Sequence, residues 1–356
     1  MDKILYDIAA RATPKVAMTL WNLAPDAVDP PDTLAVVATA AIEEFLMQHG
    51  RGIKHLTIFI TPDSPQHLPY TIPYFGASLE TLDIRTTGKL DCYFLHFLDN
   101  IQTLKINARD VSRLMSLPKN LQELRLTIGS SVEIDVSNLH ALHTFHLTAE
   151  RGHIAGPIPE SVVNLCIRGP NSRPPDVFPP NLEHLECSGM IMNHVPTLPS
   201  TLKTLNLSNT HLEPGQVDFR YLDLDDCCLR GTYLDDDDIQ QCRATILDVR
   251  WTQITPHVVF HPRVETVYMD TVPTPTSVSS SRNHILVVHI GKEPVHHFPM
   301  AIVRRNNRRD ATDDLESPFL DHASYVKHVE HRKVECHIWT RTLAIDAVDR
   351  LFELSM

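Results

Sequence analysis

The sequence predicts an α/β solenoid: a stack of short repeats, each giving one strand to a parallel sheet, with caps at both ends. Two observations carry the prediction. An apolar hexad LxxLxL, with any aliphatic residue allowed at its fixed positions, begins at Ile53, Leu79, Ile101, Leu121, Leu142, Val162, Leu182, Leu202, Phe219, Ala244, Val264 and Ile285. An apolar residue followed by proline leads into several of them, as in Leu117-Pro118, Ile158-Pro159, Phe178-Pro179 and Leu198-Pro199.

At 42% hydrophobic content one hexad matches by chance in roughly 7% of frames, so the weight lies on spacing. The five gaps from Ile101 to Leu202 are 20, 21, 20, 20 and 20 residues. Chance fills so narrow a window only about one time in five for each gap. In a short strand, LxL sends its leucines to one face and the residue between them to the other. A single repeat cannot bury that apolar face, so the array is stable only as a stack with covered ends. Proline has no N–H to give to the ladder and fits the connection entering each strand.

The repeat resembles the leucine-rich repeat, and its roughly 20-residue LPxxLxxLxL form looks like the short class of secreted bacterial effectors; proline-led relatives occur in amoebal and giant-virus proteins. The resemblance covers residues 53–290. It implies an arc with a parallel concave β-sheet and a buried asparagine three residues after each hexad. That position holds Arg109, Gly129, Thr210 and Cys227 instead, of which cysteine is the ordinary substitute.

Four segments follow in order: 1–50, a helical N-terminal cap; 51–290, a solenoid of about 12 repeats; 291–318, a charged loop; and 319–356, a mixed C-terminal cap. Within the first, residues 3–11, the stretch opened by Thr13-Pro14, and the alanine-rich 32–48 read as helices. The stretch ILYDIAARATPKVAMTLWNL also resembles a degenerate F-box, with Ile4, Leu5, Ile8, Pro14, Val16, Met18 and Leu20 at apolar positions and the usual Leu-Pro pair missing. That resemblance implies docking to a ubiquitin-ligase adapter. After Ile290, VRRNNRRDATDDLESP reads as an exposed loop, and TLAIDAVDRLFEL places Leu343, Ala347 and Leu351 on one helical face.

Composition narrows the function classes. The 44 acidic residues against 32 basic ones give a net charge of -12, which argues against a nucleic-acid partner. No uncharged apolar run approaches a membrane span, and the N-terminus, with Asp2 and Asp7 among its apolar residues, does not read as a secretory signal. Seven scattered cysteines suit reduced thiols in the cytoplasm, or in a host cytosol for a delivered effector.

No motif points to catalysis, to a metal or to a cofactor. His322, His328, His331, Cys336 and His337 lie close together without a zinc spacing, and 21 histidines make such clustering ordinary. The run Asp235 to Asp238 reads as an N-cap and favourable charge at a helix start rather than a calcium loop. Cys227 and Cys228 follow a strand with no His partner placed by sequence. Bacterial effectors with similar repeats carry a cysteine-dependent ligase domain downstream, and the 66 residues after Ile290 are expected to be too few for one.

The expectation is therefore a non-catalytic scaffold that binds a protein partner on the concave face, or else an F-box-type subunit that uses the same face for a ligase substrate, or, third, a secreted bacterial-type effector that binds a host protein. The residue inside each LxL faces outward: Lys105, Arg125, His146, Glu186, Asn206, Asp223, Asp248 and Tyr268 are candidates, with Arg85, Arg168, Asp225, Arg250 and Asp270 from the column one position after the hexad. Basic residues fall early in this set and acidic ones late, which suits a charge-matched polypeptide.

Overall fold

The structure is a computed structural model that describes residues 32–61, 64, 68–114, 116–192, 195–255, 258–269, 286–290 and 300–304. The chain divides into two compact units, Met1–Pro179 and Pro180–Met356.

In the first unit, the strands of the main sheet are β1 (Thr33–Val37), β2 (His55–Ile60), β3 (Thr81–Thr86), β5 (Thr103–Ala108), β7 (Glu123–Asp135), β8 (Thr144–Ala155) and β9 (Asn164–Arg168). They lie side by side in that order, all parallel. Two short strands, β4 (Lys89–Asp91) and β6 (Asp110–Ser112), pair in a separate two-stranded sheet. The register follows the hexads: Leu82, Leu104 and Leu124 are partners in turn, as are Ile84, Ile106 and Leu126. All six are buried, and a fully buried aliphatic side chain contributes roughly 1.5–3 kcal/mol.

The second unit repeats the plan with β10 (His184–Ser188), β11 (Thr204–Asn206), β12 (Leu224–Cys228), β13 (Ala244–Asp248), β14 (Thr266–Met269) and β15 (Leu286–Ile290), all parallel. The next strand, β16 (Met300–Arg304), returns antiparallel to β15. Part of the segment expected to be a charged loop is thus a strand.

The connections explain the proline lead-in. A tight turn precedes the hexad, and the hexad's first amide donates to the carbonyl three residues back: Leu121 N–H to Pro118 O at 3.4 Å, Val162 to Pro159 at 3.1 Å, Leu202 to Pro199 at 3.2 Å. The position uses a carbonyl and does not need an N–H, so proline costs nothing there.

Two expectations need correction. Residues 32–48 do not form one helix. TLAVV is the strand β1, with Leu34 and Val36 buried and Thr33 and Val37 exposed, and its β-branched residues suit pairing with β2. The helix Ala40–His49 starts only at the cap Thr39, whose hydroxyl accepts from Ile42 N–H at 3.3 Å. The strand array therefore begins inside the segment read as a cap.

The hexad at Phe219 is also misplaced. Leu205 pairs with Cys227 and Cys227 with Leu247, so the inward residues are Leu224, Cys227 and Leu229, all buried. Phe219 and Leu222 are buried as well, but in the turn ahead of the strand, where Leu222 N–H reaches Phe219 O at 3.1 Å. The corrected starts Leu202, Leu224 and Ala244 are spaced 22 and 20 residues apart.

This shift also moves Cys227 off the asparagine position, which Thr232 takes. Threonine fills that position throughout this stretch. The Thr210 hydroxyl donates to Cys187 O in the preceding repeat at 2.7 Å, Thr232 to Leu229 O at 2.7 Å and Thr252 to Val249 O at 2.6 Å. Thr210 and Thr232 are fully buried, so hydroxyls satisfy backbone carbonyls where an amide was expected.

The F-box-like stretch, the segment 319–356 and the histidine-rich cluster lie outside the described residues. Among the described residues, no helix is long and apolar enough to cross a membrane.

Candidate functional site

The strands turn alternate side chains toward solvent, and those faces carry the predicted residues. In the first unit, the register places Asp83, Lys105, Arg125, His146 and Cys166 in one row across β3, β5, β7, β8 and β9. Arg85 lies two residues beyond Asp83 on the same face and donates to it at 2.8 Å. The Arg85 guanidinium also sits 5.5 Å above the Phe59 ring, and the paired Asp83 raises the arginine's pKa. Lys105 and Arg125 flank Glu123, Lys105 at 3.5 Å and Arg125 in direct contact. Burial pushes the Glu123 carboxyl up, but the two cations outweigh it and hold the pKa below its ordinary value. His146 is half-buried and Arg168 exposed. Cys166, expected to face solvent, is buried.

In the second unit, Glu186, Asn206, Cys228, Asp248 and Tyr268 form the corresponding row. Asp223 and Asp225 are not where the Phe219 register put them; Cys228 and Arg230 take those places. Asp223 lies before β12 and pairs with Arg243 at 2.8 Å and Arg263 at 3.2 Å, while Asp225 lies 4.0 Å from Arg263. Arg250 binds Asp248 at 2.6 Å and stands 5.5 Å over Tyr268. Asp270 lies outside the described residues.

One rule recurs. An acceptor in the row takes a donor two residues further along the chain: Asp83 from Arg85, Glu186 from the Ser188 hydroxyl at 2.7 Å, Asn206 from Ser208 N–H at 2.9 Å and Asp248 from Arg250. At Asp83 and Asp248 the donor is an arginine, so the charge there is neutralised within the repeat. Asp226 on β12 departs from this pattern: partial burial of its carboxyl and the neighbouring Asp248 both push its pKa up.

Other features escaped the sequence reading. A column two positions into each hexad holds the half-buried Thr81, Thr103, Glu123, Thr144 and Asn164, with Asn164 donating to Thr144 at 3.3 Å. It is visible as the second x of LxxLxL, a position left uncounted. Away from the rows, Tyr70 and Arg113 both contact Asp91, and Arg113 lies 5.4 Å over Tyr93.

Two of the groups weighed for chemistry, the Asp235–Asp238 run and the Cys227–Cys228 pair, lie among the described residues. Asp235 caps the helix Asp236–Gln241 in a capping box with Asp238. Asp238 is buried and accepts from Gly215 N–H at 3.1 Å; burial nevertheless raises its pKa. Burial likewise raises the Cys227 and Cys228 thiols, the opposite of what an activated nucleophile needs. Among the described residues, no group of three or more His, Cys, Asp or Glu side chains is placed to hold a metal.

No protein-family model and no curated protein matches the chain.

Proposed function

We propose that the chain is a non-catalytic protein–protein interaction scaffold of the leucine-rich-repeat type, whose partner lies on the solvent-facing side of the sheet. The observation that carries this is the pair Arg85–Asp83 and the group Lys105–Glu123–Arg125, set on three neighbouring strands. Side chains fixed by in-strand and cross-strand pairs are already ordered, so less entropy is lost when a partner docks. Polar groups held in parallel rows suit a polypeptide lying across them and fix its register by charge.

The test is photo-crosslinking in cells, with benzoylphenylalanine placed at Asn107 or Thr127, both exposed on this face, and at Asn120 in the turn before β7 as control. A protein adduct from the two face positions and none from Asn120 supports the reading. Adducts from Asn120 alone sink it.

A further inference from the structure

One side chain in the second unit sits in a backbone conformation its residue type disfavours. The strand ends of β10 to β13 run into equivalent turns, tied by Gly189 N–H to Ser208 O, Asn209 N–H to Arg230 O and Gly231 N–H to Arg250 O. The third residue of each turn is left-handed, with φ of 68° at Gly189, 54° at Asn209, 69° at Gly231 and 60° at Trp251. Glycine and asparagine adopt this region readily; a bulky ring does not. Trp251 is nevertheless there, 42% exposed, with the Arg230 guanidinium stacked 3.8 Å from its ring centre. Strain held at an exposed aromatic points to a use outside the fold.

The surroundings say what kind of use. Ile191 is 62% and Tyr233 44% exposed. Ile191 bridges to His211, whose ring meets Tyr233 edge-on at 4.9 Å. Arg230, three residues before Tyr233 in the same repeat, is the side chain stacked on Trp251. Just beyond it on the same repeats come Glu213 and Asp237, both exposed. Residues 180–269 hold 13 Asp and Glu against 6 Lys and Arg.

We propose that Ile191, His211, Tyr233 and Trp251 dock a basic amphipathic segment of the partner protein, with Trp251 as the anchor. The proposal rests on the scaffold reading above and names the partner's chemistry. Apolar side chains of the segment cover the ring line, and its lysines or arginines meet Glu213, Asp237 and the open part of the Trp251 ring.

The experiment selects binders from a random twelve-residue phage-displayed library on the full chain, then measures selected peptides against variants. The expected pool is net positive and rich in apolar residues. Trp251→Gly restores the residue type of the neighbouring turns, so its thermal midpoint is expected to be unchanged or higher while peptide affinity falls at least tenfold. Glu213→Lys with Asp237→Lys, both exposed, is expected to weaken binding without touching the ring. A neutral or acidic pool, full affinity in Trp251→Gly, or a midpoint several degrees lower in that variant each overturns the proposal, the last because the ring would then be serving the fold. So does a chain that self-associates through Trp251 in analytical ultracentrifugation. Ser208→Arg, which puts just beyond the end of β11 the residue type that stands at the matching positions 230 and 250, separates the two readings. Peptides blocked by it but indifferent to Trp251→Gly leave the scaffold reading standing and remove this one; indifference to both also removes this one, and the scaffold reading is then decided by the crosslinks at Asn107 and Thr127.

Discussion

Gly169 follows β9 with φ of 135°, and a Cβ built there would lie 1.8 Å from Ala149 O, on β8. Cβ atoms essentially never come within 3.0 Å of such a neighbour, so Gly169→Ala must move β9 away from β8 by more than an ångström. The backbone conformation alone costs about 1–3 kcal/mol for a residue with a side chain. Each ladder hydrogen bond lost adds about 1 kcal/mol, so a total of about 3–5 kcal/mol is expected. Gly189→Ala is the control, with φ of 68° and nothing within 4 Å of its Cβ. There the left-handed backbone costs about 1–2 kcal/mol, partly offset by about 0.4–1 kcal/mol from a less flexible unfolded chain. A chain of two units is not treated as one cooperative transition, so the assay is hydrogen exchange read by peptide mass spectrometry. Amides of Thr144–Ala155 and Asn164–Arg168 should exchange roughly a hundredfold faster or more in Gly169→Ala, while Gly189→Ala changes its own strand modestly. Equal protection in the two variants would refute the close-approach argument.

Two further outcomes follow from buried polar groups. Thr210→Val removes the tie from one repeat to the carbonyl of the preceding one, whereas Leu229 O, the acceptor of Thr232, also accepts the Thr232 N–H at 3.1 Å. Hydrogen exchange across His184–Ser188 and Leu224–Cys228 should therefore show a loss of protection of about 1–3 kcal/mol for Thr210→Val and a smaller one for Thr232→Val; the reverse order would contradict the assignment. Burial raises the Asp238 pKa above its ordinary 3.8, so the folded form holds its proton more tightly than the unfolded one. The resulting stability is fully present below the unfolded pKa and is lost as pH rises through the folded one. Asp238→Asn keeps an oxygen for Gly215 N–H and does not titrate, so wild type should weaken relative to it between about pH 3 and the raised pKa. A wild type that gains on the variant with rising pH would show the carboxylate to be the preferred form.

The strands were legible wherever spacing was regular. Leu121, Leu142, Val162, Leu182 and Leu202 start hexads whose strands lie where the pattern put them. The pattern failed at Phe219 because turn residues can be as buried as strand residues, and Phe219 and Leu222 satisfy LxxL from the turn. It failed at TLAVV because the sheet-edge partner β2 outweighs the helical preference of the alanines that follow. Of the candidate site, much of the outward row was readable from period two, but not the burial of Cys166 or the replacement of Asp223 by Cys228. Its pairing was not: Glu123, which binds both Lys105 and Arg125, belongs to the uncounted column. Trp251 left a faint trace, since Gly189, Asn209 and Gly231 recur at the spacing that leads to it, but the sign of a backbone angle is not written in one residue.

The habit by which an acceptor is answered from its own repeat has a consequence for how such a chain can change length. Asp83 with Arg85, and Asp248 with Arg250, carry their counter-ions inside a single repeat. A repeat copied or deleted as a unit takes both partners with it and leaves no orphaned charge in its neighbours. Growth and shrinkage of the gene in whole repeats is then electrostatically neutral at these positions, and the cost of a length change falls on packing alone.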